Sequence, residues 1–165
     1  MTRSDPPESS SKGSRRPTLS LKGRALKYLT AREHSRVELT RKLAPHAESA
    51  EQLDHVLDEL EQKGWLSAQR FAESVVHRKA ARYGAARLKA ELAQHQLPSA
   101  VATAVNQSLR DTEFERAHAL WLRRFGEPAQ SVEDKARQMR FLLSRGFASD
   151  VVRRVIRGDG LSACD

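Results

Sequence analysis

Basic side chains at helical spacing are the residues of this sequence best suited to chemistry. Arg78, Lys79 and Arg82 share much of one predicted helix face, with Tyr83 beside them. A guanidinium group binds phosphate or carboxylate through two parallel hydrogen bonds, so such stripes favour binding to a polyanion or to an acidic protein. The candidate binding residues are Lys22, Arg24, Arg36, Arg41, Lys42, Arg78, Lys79, Arg82, Arg87, Lys89, Arg137, Arg140, Arg145, Arg153 and Arg154.

The patterns that usually mark catalysis, metal binding or cofactor binding do not occur in the sequence. The six histidines include no pair at i and i+4, and Cys164 is the single cysteine, so a zinc site has no support. Glycine-rich phosphate loops and the Gly-x-Ser-x-Gly of serine hydrolases are missing. The adjacent carboxylates at Asp58 and Glu59 belong to a highly charged helix, where solvation explains them. We therefore expect no enzymatic activity, no metal and no cofactor.

The 165 residues carry 29 Lys and Arg against 21 Asp and Glu, a net charge of +8 and a pI near 10.1. The excess falls in three basic blocks, 20–45, 68–110 and 135–157, separated by acidic blocks at 46–67 and 111–134. Alternating blocks suit a polyphosphate backbone or an acidic protein groove. An ordinary basic, solvated surface is the alternative. With 39% apolar residues, the length allows one domain or two small ones.

The two ends of the chain differ in composition from its centre. Residues 1–18 hold three of the six prolines and five serines, which predicts a disordered tail, and 159–165 are expected to be a flexible C-terminus. No apolar run reaches the roughly 20 residues that cross a bilayer, and no secretory signal is visible. The single cysteine fits a reducing compartment. We expect a cytoplasmic monomer without a membrane segment.

Helical periodicity dominates from Leu19 onward, and strict alternation is missing, so the sequence predicts an all-α protein of nine helices. In the box Ser35-x-x-Glu38, the serine side chain satisfies free amides at the start of a helix. The other residues predicted to begin helices are Ser49, Ser67, Pro98, Asp111 or Thr112, Ser131 and Ser149. The glycines predicted to end helices are Gly64, Gly84, Gly126, Gly146 and Gly158.

The helices fall into three copies of one unit. The pair Leu39 and Leu43 recurs 49 residues later as Leu88 and Leu92, and again as Met139 and Leu143. Leucines at i and i+4 occur on any amphipathic helix, but the apolar offsets beyond each pair also match. The repeats are predicted at 19–66, 67–110 and 111–158. Because each unit is small for a stable core, we expect an elongated array of three stacked three-helix repeats.

Ordered fragments along the chain resemble the RecX family of recombinase regulators. They are Arg32-x-x-Ser35-x-x-Glu38-Leu39-x-x-Lys42-Leu43, Leu57-x-x-Leu60-x-x-x-Gly64-Trp65-Leu66, Arg70-Phe71-Ala72, Gly84-x-x-Arg87-Leu88-x-x-Glu91-Leu92, Phe141-Leu142 and Arg145-Gly146-Phe147. The resemblance implies a helical array that binds the RecA recombinase filament on single-stranded DNA. It also implies inhibition of ATP hydrolysis, filament extension and strand exchange in recombinational repair, contact with DNA, and no catalytic residues. Because the basic stripes would contact mainly phosphates, we expect the binding of single-stranded DNA to be weak and independent of sequence.

Two positions depart from the family pattern. Ser67-Ala68 stands where members usually have an acidic residue, so that helix must begin with Ser67 as its cap. His95-Gln96 replaces a glycine at the end of a helix. A left-handed Gln96 would cost about 1 kcal/mol relative to glycine.

Two other classes of function fit the residues. One is a DNA-binding protein with helix-turn-helix-like units and no recombinase partner, in which the Arg36–Lys42 helix enters a major groove. The other is a scaffold that recognises an acidic protein without nucleic acid.

Overall fold

The computed structural model describes residues 19–159, and the predicted tail at 1–18 and residues 160–165 lie outside them. The described residues form nine α-helices and one short 3₁₀ helix at Ala44–His46, with no strand among them. The helices are α1 (Leu21–Ala31), α2 (Arg36–Leu43), α3 (Ala50–Gln62), α4 (Ala68–Lys79), α5 (Ala85–Ala93), α6 (Ser99–Asp111), α7 (Glu113–Arg124), α8 (Val132–Ser144) and α9 (Ser149–Arg157). None of these helices is long and apolar enough to span a bilayer.

Serine caps begin most of the helices for which they were predicted. Ser35 Oγ accepts the amide hydrogen of Glu38 at 3.1 Å, and Ser67 Oγ accepts that of Arg70 at 3.2 Å. Ser67 therefore replaces the acidic residue of the family pattern. Ser49 and Ser131 cap α3 and α8 in the same way. Each such cap contributes about 1 kcal/mol, because it satisfies an amide that the helix cannot.

Residues with a left-handed backbone follow the ends of several helices, as predicted. Gly64, Gly126, Gly146 and Gly158 have φ values between 68° and 82°. Gln96 also adopts this conformation, with φ of 49°, and is the one non-glycine residue in the described chain to do so. Gln96 thus stands where family members usually have glycine and adopts the same left-handed backbone conformation.

Two predicted helix boundaries are wrong. The helix that carries Phe71 ends at Lys79, and Gly84 begins α5 with φ of −75°. Ser149 is the first helical residue of α9, and the cap position is Ala148, whose side chain cannot accept a hydrogen bond. In both cases buried Glu113 of α7 accepts one amide hydrogen at the helix start, from Ala85 or from Ala148, and local sequence does not reveal this contact.

The third copy of the repeated pair is shifted by one residue from its prediction. Leu143 is 42% exposed, whereas Leu142 is fully buried and Gln138 is 4% exposed. Gln138 and Leu142, rather than Met139 and Leu143, are therefore the deeply buried pair of this unit, and Met139 is partly buried against the same core. Gln138 can occupy an apolar position because its Oε1 accepts the indole hydrogen of Trp121 at 2.7 Å.

Each set of three consecutive helices has its own apolar core. We call α1–α3, α4–α6 and α7–α9 the first, second and third triplets. Their cores centre on Leu39, Phe71 and Trp121, respectively. Contacts join the first triplet to the second and the second to the third. The all-helical array of three three-helix repeats is thus confirmed.

Side chains connect the first and second triplets. Ser35 Oγ, while capping α2, lies 2.9 Å from Nδ1 of His95, whose ring packs on Phe71 with centroids 4.6 Å apart. Glu33 accepts a hydrogen bond from Arg70 Nε at 2.8 Å. Neighbouring His34 is buried, and its burial lowers its pKa. The polar contacts at this joint therefore depend on a few side chains, and single substitutions can remove them.

Candidate nucleic-acid and partner interface

Four of the fifteen candidate basic residues bind carboxylates of the chain itself. The pairs are Lys22 with Glu59, Arg36 with Asp54, Asp58 and Glu61, Lys79 with Glu91, and Arg137 with Asp134. For three of these four cations the carboxylates belong to a different helix, so the sequence alone does not reveal those pairs. A partner would have to compete with the chain's own carboxylates for these cations.

Arg36 is the most strongly engaged of the four. Its Nη1 lies 2.7 Å from Asp58 and 2.8 Å from Glu61 on α3. Partial burial lowers the pKa of Arg36, but hydrogen bonding and attraction from these carboxylates outweigh it and raise the pKa above its ordinary value. The start of α2 is therefore paired with α3 and is not free to contact bases.

The other eleven candidates form no ion pair among the described residues. They are Arg24, Arg41, Lys42, Arg78, Arg82, Arg87, Lys89, Arg140, Arg145, Arg153 and Arg154. Some are placed by aromatic rings instead. Lys42 Nζ lies 4.6 Å from the centre of the Tyr28 ring, and the Arg154 guanidinium lies 4.4 Å from that of Phe114. A cation on a ring is oriented without losing its charge, so it remains able to bind an anion.

A group of arginines that form no ion pair among the described residues surrounds the turn between α4 and α5. Tyr83 has the guanidinium of Arg87 at 4.2 Å from its ring centre and that of Arg145 at 5.9 Å. Arg82 belongs to the turn itself and is exposed, and Arg123 Nη2 donates to the carbonyl of Ala81 at 3.3 Å. We call Arg82, Tyr83, Arg87, Arg123 and Arg145 the loop-80 cluster.

The loop-80 cluster combines residues of the second and third triplets. Arg87 lies on α5, whereas Arg145 follows α8 and also packs on Phe141, at 4.9 Å from the ring centre. No carboxylate of the described chain forms an ion pair with any arginine of the cluster. Several positive charges around one ring attract closely spaced negative charges, such as successive phosphates.

Two arginines of α7 contribute to this region although they were not candidates. Arg123 is part of the cluster, and Arg116 binds the backbone of the turn that carries Arg82 and Tyr83. Arg116 Nη1 donates to the carbonyls of Ala80 and Tyr83 at 3.0 and 2.7 Å. Burial lowers the pKa of Arg116. Both residues lie in the acidic block at 111–134, so neither charge blocks nor stripes mark them.

The cavities of the described chain offer nothing that resembles an active site. A groove between α4 and α6 is floored by Val76, Ala104 and Val105, with Glu73 and His77 at its edge. Among residues 19–159, no group of three histidine, cysteine or acidic side chains is placed to hold a metal. The loop-80 cluster is therefore the arrangement with the clearest binding chemistry.

Comparison with known proteins identifies the family. Models of the first, second and third three-helix domains of RecX match residues 22–60, 69–105 and 111–156. The chain belongs to the RecX family. The resemblance found in the sequence is thus confirmed, and the order of the three matched domains is that of the three helix triplets.

Several curated relatives are similar to this RecX-family chain over most of their length. Regulatory protein RecX of Leptothrix cholodnii is 57% identical over 144 residues, which are 87% of this chain and 92% of that protein. The protein of the same name from Ralstonia pickettii is 56% identical, over 87% of this chain and 90% of its own. That from Neisseria gonorrhoeae is 38% identical, over 86% and 92%.

The fold is also that of a solved RecX structure. The crystal structure of RecX from Lactobacillus salivarius matches with a TM-score of 0.70 over 86% of this chain and 95% of that chain. Sequence identity between the two is 18%, so this match concerns the fold alone. The helical array is therefore shared at low sequence identity.

Proposed function

We propose that this RecX-family chain is a non-enzymatic regulator that binds the RecA recombinase filament. Bound there, it inhibits ATP hydrolysis, filament extension and strand exchange in recombinational DNA repair. Family membership and the name of its relatives, regulatory protein RecX, support a regulatory role. The observation that carries the proposal is the loop-80 cluster, with several unpaired arginines at the joint of two triplets.

A filament on single-stranded DNA presents a polyanion along its length, and a row of helix triplets is suited to follow it. Candidate cations without carboxylate partners occur in all three triplets, from Arg24 to Arg154. Arginine contacts with phosphates carry no base information, so this contact is independent of DNA sequence and weakens as salt rises. Binding along the filament would oppose both its growth and the exchange of strands within it.

The alternative is a DNA-binding protein with helix-turn-helix-like units and no recombinase partner. It requires the N-terminal end of α2 to reach base edges in a major groove. Arg36 at that end is held by Asp58 and Glu61, so base contact would first have to break two short ion pairs. The pairing of Arg36 supports the filament regulator over this alternative.

The deciding experiment measures ATP hydrolysis by RecA on single-stranded DNA with an equimolar amount of the full chain. We expect inhibition by the unaltered chain and a large loss of inhibition by the double variant R87E/R145E. The control R124E/R157E makes the same change in net charge at two exposed arginines outside the fifteen candidates. It should inhibit like the unaltered chain.

Three results would contradict the proposal. The first is no effect of the unaltered chain on ATP hydrolysis. The second is equal loss in both double variants, which would mean that net charge alone matters. The third is tight duplex binding with strong sequence preference and no RecA binding, which would favour the alternative.

The same proposal includes the place and state in which the protein acts. RecA filaments form on DNA in the bacterial cytoplasm, and we propose that the chain acts there as a monomer that needs no cofactor. Sedimentation of the chain alone would show its oligomeric state, and a stable dimer would contradict that part of the proposal.

A further inference from the structure

Glu113, at the start of α7, is a buried carboxylate that touches two other helices. Its side chain is almost entirely enclosed, with 4% of the residue exposed. Oε1 accepts the amide hydrogen of Ala85 at 3.0 Å and that of Ala148 at 3.2 Å. These amides lie at the starts of α5 and α9, which have no side-chain cap of their own. One oxygen thus caps a helix of the second triplet and a helix of the third.

The backbones of the two triplets meet beside this carboxylate. The amide of Gly84 donates to the carbonyl of Arg145 at 2.9 Å, and that of Ala86 donates to Gly146 at 3.3 Å. A Cβ atom at position 84 would lie 2.2 Å from the Gly146 carbonyl oxygen. The close approach of these two backbones therefore requires glycine at position 84, because any side chain there would push them apart.

This joint places the two arginines of the loop-80 cluster that lie closest to the Tyr83 ring, Arg87 and Arg145. Arg87 is in the first turn of α5, just after the amide that Glu113 caps. Arg145 immediately precedes Gly146, three residues before the other capped amide. A shift of α5 against the turn that precedes α9 would separate the two guanidinium groups, since each is attached to one side of the joint.

We propose that Glu113 is a positioning residue for a composite phosphate-binding site formed by Arg87, Arg145 and Tyr83. The ligand class is the phosphodiester backbone of single-stranded nucleic acid, and this choice of ligand rests on the proposed function. Glu113 itself contacts no ligand. By fixing the starts of α5 and α9 against each other, it holds two like charges 4.2 and 5.9 Å from the centre of one ring, and no carboxylate of the described chain forms an ion pair with either.

The residues around Glu113 explain why a carboxylate occupies this position. The starts of helices carry partial positive charge, so a negative group between two of them is favourable. Arg116, one turn further along α7, donates to the carbonyls of Ala80 and Tyr83 and so fixes the other end of the turn. A neutral acceptor of the same shape, such as glutamine, would keep hydrogen-bonding capacity while losing the charge.

The test measures binding of the full chain to an oligothymidylate strand by fluorescence anisotropy over a range of salt concentrations. We expect Glu113→Ala to weaken binding about tenfold at low salt and to reduce the salt slope by about 1.4, as for the loss of two phosphate contacts. Glu113→Gln should recover most of the affinity. Ser131→Ala removes a cap at the far end of α8 and should leave binding unchanged.

A double-mutant cycle separates positioning from general loss of structure. In the R87A/R145A background, Glu113→Ala should weaken binding no further, because the groups that it positions are already absent. Circular dichroism identifies a variant that fails to fold. If Glu113→Ala fails to fold, Gly84→Ala takes its place, because it opens the same joint and leaves Glu113 intact. Gly84→Ala should weaken strand binding about tenfold on its own and should weaken it no further in the R87A/R145A background.

Four outcomes would overturn the inference. They are unchanged binding by folded Glu113→Ala, a further loss in the R87A/R145A background, a loss of equal size in Ser131→Ala, and no binding of the strand by the unaltered chain at low salt. Inhibition of RecA is measured separately. Glu113-dependent strand binding without RecA inhibition would reject the proposed function alone, and RecA inhibition without such dependence would reject this inference alone.

Discussion

Ser35 Oγ lies 2.9 Å from His95 Nδ1 and, at the same time, accepts the amide hydrogen of Glu38 that begins α2. One hydroxyl thus caps a helix of the first triplet and binds a ring of the second. The second and third triplets are joined by hydrogen bonds between backbone groups as well as by the side-chain carboxylate of Glu113. The first joint therefore depends more on single side chains than the second.

We expect Ser35→Ala to lower the free energy of unfolding by about 2 kcal/mol, because it removes both a cap and a bond to His95. Ser49→Ala is the matched control, since Ser49 caps α3 from an exposed position and binds no other triplet. It should cost about 1 kcal/mol. Denaturation in urea measures both values, and equal losses would mean that the bond to His95 contributes nothing.

Gln138 provides a second test, in the core of the third triplet. Replacement by leucine would leave the buried Trp121 indole hydrogen without its acceptor, so we expect a loss of about 1–3 kcal/mol despite the greater hydrophobicity. Leu143→Ala, one turn away and 42% exposed, should cost less. Urea denaturation followed by tryptophan fluorescence gives both numbers. A stabilised Gln138→Leu protein would show that the amide is dispensable.

The same residue shows why sequence could predict the fold but not every register. The helices were predictable because their boundaries are local: Ser35 and Ser131 cap, and Gly64 ends a helix, through groups a few residues away. The register of α8 was predicted one residue out, since a glutamine at a core position looks like a surface residue. Its burial depends on Trp121, which belongs to another helix.

The candidate site was predictable in composition and not in arrangement. The unpaired arginines Arg87 and Arg145 were both candidates, but only the packing of the second triplet on the third places them around one ring. Glu113 and Arg116 gave no signal, because a helical pattern does not show that a side chain reaches the backbone of another triplet. The pairing of Arg36 with α3 was hidden for the same reason.

Gln96 lies in a left-handed conformation that glycine adopts more easily. We expect Gln96→Gly to raise the free energy of unfolding by about 1 kcal/mol, since no Cβ then opposes the positive φ of 49°. Gln94→Gly is the control, because Gln94 has a right-handed backbone with φ of −69°. It should give no gain. Equal effects of both substitutions on the urea midpoint would contradict the strain at position 96.

Glu59 gives a prediction about pH. Hydrogen bonds from Lys22 and Lys63, both at 2.6 Å, lower the pKa of its carboxyl from 4.5 to about 2. Because the folded pKa lies below the unfolded one, this contribution to stability is present above about pH 4.5 and is lost as the pH falls toward 2. Glu59→Gln should therefore flatten the decline in thermal midpoint over that interval.

The control for Glu59 is Glu127→Gln, which removes an exposed carboxylate that forms no ion pair among the described residues. Its profile should follow that of the unaltered chain between pH 4.5 and 2. Identical profiles for Glu59→Gln and the unaltered chain would mean that the two lysines do not stabilise the charged carboxylate.

The last prediction concerns Arg78, Lys79 and Arg82, which the sequence groups into one stripe and the structure divides. Lys79 Nζ lies 2.7 and 2.8 Å from the two carboxylate oxygens of Glu91. Arg78 and Arg82 form no ion pair among residues 19–159. We expect R78E/R82E to weaken inhibition of RecA while leaving helicity intact, since it reverses charges that face no internal carboxylate.

Lys79→Gln should have the opposite profile, with inhibition nearly unchanged and the free energy of unfolding lowered by about 0–1 kcal/mol, as for a half-exposed ion pair. Inhibition of ATP hydrolysis and circular dichroism, measured on the same preparations, separate the two effects. If Lys79→Gln lost as much inhibition as R78E/R82E, the pair with Glu91 would have to open on binding, and internal pairing would not decide which cations contact the partner.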